Sequence, residues 1–315
     1  MSAATPLRIA VVGAGRMGRV HLEALRLSDR CVAVASVDPD RAAREAAGTY
    51  VARTHASVDD LLAAGGFDAV LIASPTGLHR QTVEQVAAAG VPMLCEKPCG
   101  LHLDDVRAAT HAAADADVLL QIGYWRRFVP ELGALRERIA DGSVGRCSLI
   151  ICHQWDEQPP SASFRAGSGG IAADMAVHEV DELRWLTGEE LEIVTAVGAG
   201  GDAVADQRDP DSAVVLGRLT GGAAAVLTLG RRFPPGDSCW VELFADHRYE
   251  RVPFMWSIEG ERVFHRALAA QADAFAAAVD GAPQRGANGN DAIAAVAAAE
   301  QIAEALATAS TEAVA

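Results

Sequence analysis

One stretch of the chain spaces polar side chains as a catalytic site would. IAADMAVHEVDELRWL, residues 171–186, carries four of them at successive offsets of four, three and four: Asp174, His178, Asp181 and Trp185. On a helix these four share one narrow face, with apolar residues on the opposite face. That face is either an ordinary solvated surface or the wall of a reaction site.

A lysine is the second candidate for chemistry. The apolar run VPMLC leads directly into EKP, which places Lys97 at a strand end and before a proline that stiffens the backbone. A positive charge there can stabilise an alkoxide or a carbonyl dipole that develops beside a bound cofactor. A surface lysine paired with Glu96 is the alternative, and the spacing alone does not decide between them.

A glycine-rich turn predicts dinucleotide binding. GAGRMG, residues 13–18, follows the strand-like run RIAVV and opens a helical segment. In this setting Gly13 permits the turn, Gly15 admits a pyrophosphate, and Gly18 lets helix and strand pack closely. Asp38 ends the next strand, where a carboxylate accepts hydrogen bonds from a ribose and repels a 2′-phosphate, favouring NAD over NADP. The alternative for Asp38 is a residue that starts a turn.

The elements that must position these residues fall into two patterns. Before residue 123, short β-branched runs alternate with helical segments, which is typical of βαβ units and a parallel sheet. After it, strands joined by tight turns indicate a more antiparallel sheet. The sequence therefore predicts an α/β protein, with a Rossmann domain over residues 1–123 and a second α/β domain, with an open, mostly antiparallel sheet, over residues 124–315.

Composition excludes several classes of function. The net charge of -15 and the absence of any Lys/Arg run argue against nucleic acid and anionic membranes as partners. The early apolar run 9–12 is too short for a signal segment or a span, so we expect a cytoplasmic protein. Six cysteines without a C-x-x-C pair indicate reduced thiols, and HEVDE lacks the second histidine of a zinc motif, so no metal is expected.

Taken in order, these motifs resemble a known family. GAGRMG, the terminal Asp38, SPTGLH, EKP, GYWRRF and the D-x-x-x-H of DMAVHEVDELRWL occur in the order seen in the glucose–fructose oxidoreductase, inositol dehydrogenase and rhizopine-catabolism family. The resemblance covers nearly the whole chain, and within the family the sequence looks most similar to inositol 2-dehydrogenases.

The resemblance implies an NAD-dependent dehydrogenase that oxidises a secondary hydroxyl, with His178 as acid or base. It implies a homodimer or homotetramer assembled through the open sheet of the second domain. It also implies three sets of residues. The catalytic set is Lys97, Asp174 and His178. The cofactor-binding set is Gly13, Gly15, Arg16, Met17, Gly18, Asp38, Ser74, Pro75, Thr76, His79, Glu96 and Lys97. The substrate-binding set is Lys97, Arg127, His153, Asp156, Asp174 and His178.

The chemistry of these residue types agrees with that reaction. A histidine suits proton transfer at neutral pH, and an aspartate one turn earlier can orient it or bind substrate. For Arg127 a structural salt bridge is an equally good interpretation, and Asp181 is either a substrate contact or an ordinary helix carboxylate.

Two departures from the family pattern concern the substrate. HQWDEQPPSASF stands where many inositol dehydrogenases have an Arg-Asp-Pro stretch, and RRFPPGDSCW where a Tyr-Asp-Gln stretch is common. Exchanging a residue that reads a hydroxyl changes which polyol satisfies the site. We therefore expect a cyclic polyol or sugar rather than inositol specifically. An NAD-dependent glycosidase and a nonenzymatic NAD-sensing regulator are the alternatives.

Overall fold

The computed structural model describes residues 5–200 and 209–312, which form two compact units. The first unit contains the chain up to residue 125 together with residues 265–293, and the second contains residues 126–264 and the chain from residue 294. The predicted single boundary after residue 123 is therefore incomplete, because residues 265–293 return to the first unit. The cause is packing, because Phe275 and its neighbours complete the core of that unit.

The first unit is built on a parallel sheet, as the sequence predicts. Its strand order is β3-β2-β1-β4-β5-β6, which is the doubly wound order of dinucleotide-binding folds. Residues 9–12 are buried on both faces of the sheet, which explains why this run reads as continuously apolar. The strands are β1 (Leu7–Val12), β2 (Cys31–Val37), β3 (Arg53–His55), β4 (Ala69–Ile72), β5 (Met93–Cys95) and β6 (Leu120–Ile122).

Five helices follow the strands of the first unit. Asp40 caps α2 by accepting hydrogen bonds from the N–H groups of residues 42 and 43, and Ser57 caps α3 through the N–H of residue 60. These caps explain where two short helices begin. The helices are α1 (Arg16–Leu25), α2 (Arg41–Ala47), α3 (Val58–Ala64), α4 (His79–Ala88) and α5 (Leu103–Asp115).

The second unit contains a six-stranded sheet in the order β12-β11-β7-β10-β9-β8. Only β7 and β10 pair in parallel, and the other neighbours are antiparallel, so the predicted open, mostly antiparallel sheet is confirmed. The strands are β7 (Cys147–Trp155), β8 (Leu191–Ala199), β9 (Ser212–Leu219), β10 (Ala224–Gly230), β11 (Ser238–Ala245) and β12 (Tyr249–Trp256).

The remaining helices are α6 (Pro130–Ala140), α7 (Ala162–Gly167), α8 (Val177–Thr187), α9 (Ser257–Val279) and α10 (Gly289–Glu312). The division between the two units falls inside both α9 and α10. Among the described residues, 289–309 is the one helical stretch long and apolar enough to cross a membrane. Its buried residues recur at helical spacing.

Residues 171–186 do not form one uniform helix. Residues 172–176 form a π-helical turn, and α8 starts only at Val177. A π turn inserts extra backbone into the helix, so Asp174 and His178 do not keep the simple angular offset expected of an α-helix. Such turns occur frequently at functional sites.

Candidate functional site

The carboxyl ends of the strands in the first sheet bring most of the predicted cofactor residues to one edge. Gly13 follows β1, Asp38 follows β2, Ser74 lies just after β4, and Lys97 lies just after β5. Main-chain hydrogen bonds extend the sheet past the strand ends, with the N–H of Gly13 donating to residue 37 and that of residue 73 to residue 12. In such a sheet this edge is where ligands bind.

The three glycines of the loop have three different surroundings. A Cβ on Gly18 would lie 1.8 Å from the carbonyl oxygen of Gly13, so α1 and the loop approach too closely for a side chain. A Cβ on Gly13 would lie 2.5 Å from the carbonyl oxygen of residue 73. A Cβ on Gly15 would meet no protein atom within 4 Å. The exposed space beside Gly15, at the start of α1, therefore suits a pyrophosphate.

Asp38 contributes both to the loop and to the ribose position. One oxygen of its carboxylate accepts a hydrogen bond from the N–H of residue 14 at 2.8 Å, and the other accepts from the N–H of Asp40 at 2.9 Å. Its side chain is half-buried next to the glycine loop. The two lone pairs that remain on these oxygens are available to ribose hydroxyls. Arg16 and Met17 begin α1 directly after the glycine loop, and Pro75 and Thr76 lie in the segment that follows β4.

Glu96 fixes the backbone that carries Lys97. Its Oε1 lies 2.6 Å from Nε2 of His21 on α1, and its Oε2 accepts the N–H of Lys97 at 3.0 Å. Burial alone would raise the pKa of Glu96, but the hydrogen bond and charge of His21 outweigh burial and lower it. Glu96 is thus an ionised, buried anchor, and the half-buried Lys97 extends from a fixed main chain.

His79 connects two loops at the same edge of the sheet. Its Nδ1 lies 2.8 Å from the carbonyl oxygen of Pro98, and its Nε2 lies 2.7 Å from that of Ser74. Burial lowers the pKa of His79. Because a neutral imidazole has one N–H, it donates to one carbonyl at a time. The side chain therefore positions the SPTGLH and EKP loops, and its ring nitrogens face backbone rather than ligand.

In the second unit, the residues proposed for catalysis lie on the π turn and the first turn of α8. His178 and Asp181 are buried, and Asp174 is half-buried. An ordinary solvated face is therefore not the explanation for this polar stripe. Asp174 lies 3.5 Å from Nη2 of Arg231, a residue within the segment that departs from the family pattern.

Two consecutive arginines hold α8 in place. Arg126 donates to Glu179 at 2.6 Å and to Glu182 at 3.2 Å, and all three side chains are buried. Arg127 donates to both oxygens of Asp181, at 2.9 and 2.5 Å. Of the two interpretations of Arg127, the structure therefore shows the salt bridge.

The pairing of Arg126 with Glu179 and Glu182 was not foreseen from the sequence. The available signal was the pair of glutamates beside the polar face of α8, because buried carboxylates need a cation. Burial raises the pKa of Glu182 to about 7, with the charge of Arg126 opposing burial and that of Glu179 adding to it.

His153 is not brought to α8. Cys152, its neighbour in β7, hydrogen-bonds Glu182 of α8, and alternate residues of a strand face opposite sides of a sheet. His153 instead stacks on Trp240 at 4.2 Å and places Nδ1 2.7 Å from the Thr228 hydroxyl. Burial lowers its pKa to about 4, so it is neutral at pH 7.

Asp156 continues the sheet beyond β7. Its N–H donates to the carbonyl of Gly230 at 2.8 Å, and its carbonyl accepts the N–H of Phe233 at 2.9 Å. Its backbone thereby holds the loop that follows β10.

The residues at this edge of the first sheet suit NAD. Over residues 5–200 and 209–312, no group of three or more His, Cys, Asp or Glu side chains has the geometry of a metal site. The open space at Gly15, the close approaches at Gly13 and Gly18, and the Asp38 carboxylate together fit a dinucleotide.

Comparison with known proteins agrees with this assignment. Residues 7–124 match the model of an oxidoreductase family with an NAD-binding Rossmann fold, and residues 133–249 match the GFO/IDH/MocA C-terminal domain. The chain is 45% identical to the rhizopine catabolism protein MocA of Rhizobium meliloti over 96% of each protein. It is 36% identical to an inositol 2-dehydrogenase of the same species, over 72% of this chain and 69% of the relative.

A solved structure shows the same fold over almost the full length. The crystal structure of a myo-inositol dehydrogenase from Corynebacterium glutamicum superposes with a TM-score of 0.87 at 26% identity, covering 96% of this chain and 97% of that one. The family models cover both units, and the sequence relatives cover most of the chain. The chain is therefore a member of the GFO/IDH/MocA family of NAD-binding oxidoreductases.

Proposed function

We propose that this NAD-dependent oxidoreductase oxidises a secondary hydroxyl of a cyclic, inositol-like polyol to a ketone. The observation that carries the proposal is the buried His178, which follows the arginine-held Asp174 by four residues in a chain with a dinucleotide loop. The relatives named as inositol 2-dehydrogenases and as a rhizopine catabolism protein support the choice of a polyol.

The proposed chemistry divides among three residues. His178 accepts the proton of the substrate hydroxyl, since a histidine titrates near neutral pH. Lys97 stabilises the negative charge that develops on the substrate oxygen. Asp174 orients His178 or accepts a hydrogen bond from a second substrate hydroxyl. Bound NAD supplies the hydride acceptor.

Substrate recognition is proposed to involve Arg127 and Asp156 besides the catalytic residues. His153 was part of the same prediction, but its stacking on Trp240 on the other face of β7 argues for a structural role. NAD is proposed to be preferred over NADP because the Asp38 carboxylate repels a 2′-phosphate.

We also propose that the protein assembles as a homodimer or homotetramer. Large apolar side chains are exposed on the face of the second sheet that carries His153, among them Val197, Val214, Leu216 and Phe244. Exposed apolar patches of this kind mark interaction surfaces. Light scattering at micromolar concentration should give a multiple of the chain mass, and a monomeric mass would refute assembly. The expected cytoplasmic location stays a prediction.

The function is tested by following nicotinamide absorbance with NAD or NADP and a panel of inositols, aldoses and methyl glycosides. One class of cyclic polyol should reduce NAD. His178→Ala should lower kcat roughly 100- to 10,000-fold, the usual range for loss of an acid or base. The matched control is His111→Ala on the exposed face of α5, which should retain full activity.

Two other results would overturn the proposal. Release of the aglycone from a methyl glycoside without net NADH would indicate a glycosidase that oxidises its substrate transiently. Tight NAD binding with no turnover of any substrate would indicate a regulator.

A further inference from the structure

Six charged side chains of the second unit form a chain of ion pairs that alternates in sign and ends at Asp174. We call it the charge chain, and its order is Asp174, Arg231, Asp209, Arg165, Asp211 and Arg232. Successive N–O distances along it are 3.5, 3.1, 2.8, 2.8 and 3.0 Å. Three arginines and three aspartates balance each other.

Burial differs strongly between the two ends of the charge chain. The side chain of Arg231 is fully buried, that of Asp174 is 17% exposed, and that of Arg232 is 63% exposed. A buried guanidinium is costly unless carboxylates surround it. Arg231 meets this requirement because Asp174 and Asp209 both contact its Nη2, so both carboxylates are part of the reason that it can be buried.

The charge chain joins four separate segments of the backbone. Arg165 belongs to α7, Asp174 to the π turn before α8, and Arg231 follows the last residue of β10. Main-chain bonds reinforce the junction, because Arg165 donates to the carbonyl of Asp209 at 2.6 Å and the N–H of Arg231 donates to the carbonyl of Asp211 at 2.8 Å. The guanidinium of Arg231 is thus held on a frame that does not include α8.

We propose that Arg231 is a positioning residue that sets the place of the Asp174 carboxylate. The carboxylates of Asp174 and Asp209 both contact Nη2 of Arg231, so without Arg231 their like charges would repel with no guanidinium between them. Asp174 would then move on its π turn, away from the position required for orienting His178 or binding substrate. This inference rests on the proposed role of Asp174 in polyol oxidation.

Two neighbouring arginines provide a matched comparison. Arg232→Gln removes the exposed end of the charge chain, and Asp211 keeps Arg165 as its partner. Arg231→Gln removes the buried cation beside Asp174. Arg231→Lys keeps a positive charge, but a single ammonium cannot reproduce the planar fork that spans two carboxylates.

The experiment measures kcat and KM of these three variants with NAD and the polyol that the wild-type enzyme oxidises. A misplaced catalytic group costs about 100-fold in rate, so Arg231→Gln should lower kcat/KM for the polyol by roughly ten- to a hundredfold, while KM for NAD stays unchanged. Arg231→Lys should recover part of the loss, and Arg232→Gln should lose far less activity than Arg231→Gln. Equal activity of the Arg231→Gln and Arg232→Gln enzymes would overturn the proposal, as would a glutamine variant at least as active as the lysine variant.

A thermal double-mutant cycle tests the contact without any turnover. Asp174→Asn, Arg231→Gln and the double variant are compared with the wild type, and the loss caused by Arg231→Gln should be smaller when Asp174 is already neutral. Additive losses would refute the positioning contact. Where Arg231→Gln does not fold, the same cycle is run with Arg231→Lys. If no polyol is oxidised by the wild type, the proposed function fails, and the cycle still decides whether Arg231 and Asp174 are coupled.

Discussion

At the scale of single residues, α8 is unusual for the number of its charges that are buried. Glu179, Asp181 and Glu182 are all buried beside His178, and Arg126 and Arg127 pair with all three. Buried ion pairs contribute little net stability, but removing one partner is costly. The arginine pair therefore fixes the rotation and register of the helix that carries His178, rather than adding general stability.

Glu182 makes the stability of the protein depend on pH. Its folded pKa of about 7 lies above that of a glutamate in an unfolded chain. The folded state therefore binds more protons, so this contribution to stability is fully present below about pH 4 and is lost as pH rises through about 7, at about 1.4 kcal/mol per unit of pKa difference.

Glu182→Gln removes this titration. Thermal unfolding measured between about pH 5 and pH 8 should show a larger loss of Tm with rising pH in the wild type than in Glu182→Gln. Glu137→Gln, an exposed change on α6, should follow the wild type. Parallel pH profiles of the wild type and Glu182→Gln would show that Glu182 does not titrate in this range.

At the scale of elements, the sequence was most informative where a motif coincides with a strand end. The strands that lead into Gly13, Asp38, Ser74 and Lys97 were predicted because short apolar runs bounded by turn residues have few alternative structures. The tight turns predicted after residue 123 are also found, since β9 and β10 pair as an antiparallel hairpin.

Other elements carried no such local signal. The π turn at 172–176 was missed because its sequence continues the helical pattern of α8. Helix α9 was missed although its alanine-rich half favours a helix, and its place in the first unit is decided by packing against distant strands, which the local sequence does not show. The partners of Arg126 and Arg231 depend on contacts between residues far apart in the sequence, which spacing does not reveal.

The glycine loop gives a prediction that separates binding from folding. Gly15→Ala places a methyl group where no protein atom lies within 4 Å, so the fold should persist. The affinity for NAD should fall by about tenfold or more, which corresponds to a loss of at least about 1.4 kcal/mol of binding free energy. Gly18→Ala places its methyl 1.8 Å from a backbone oxygen and should unfold the loop or the whole unit. Calorimetric NAD titration and thermal unfolding of both variants measure the two effects.

If Gly15→Ala bound NAD as tightly as the wild type, the pyrophosphate would not lie beside this glycine. If Gly18→Ala were as stable as the wild type, the close contact between α1 and the loop would be incorrect.

At the scale of the whole molecule, the first unit depends on a distant part of the chain. Phe275 is fully buried in a core that includes Ile9, Val11 and Leu71 of the parallel sheet. Asp273 accepts a hydrogen bond from Ser28, and Asp280 pairs with Arg30, at the turn before β2. The dinucleotide-binding unit is thus completed by α9, which follows all strands of the second sheet in the sequence.

Phe275→Ala tests this dependence. Truncating a buried phenylalanine costs about 3–5 kcal/mol, so the variant should unfold at a markedly lower temperature and NAD should protect it. Phe164→Ala, which alters an exposed phenylalanine of α7, should change Tm little. An unchanged Tm for Phe275→Ala would mean that α9 does not contribute to the core of the first unit.

The proposed reaction transfers a hydride from a carbinol carbon of a cyclic polyol to NAD. The most direct measurement is NMR of the reduced nicotinamide after turnover of an inositol deuterated at its carbinol carbons. We expect one deuterium at nicotinamide C4 for each ketone that the wild type forms, and labelling that is roughly 100-fold slower or more with His178→Ala. Ketone formation without deuterium at C4, or no reduced nicotinamide with any inositol or related cyclic polyol, would contradict it.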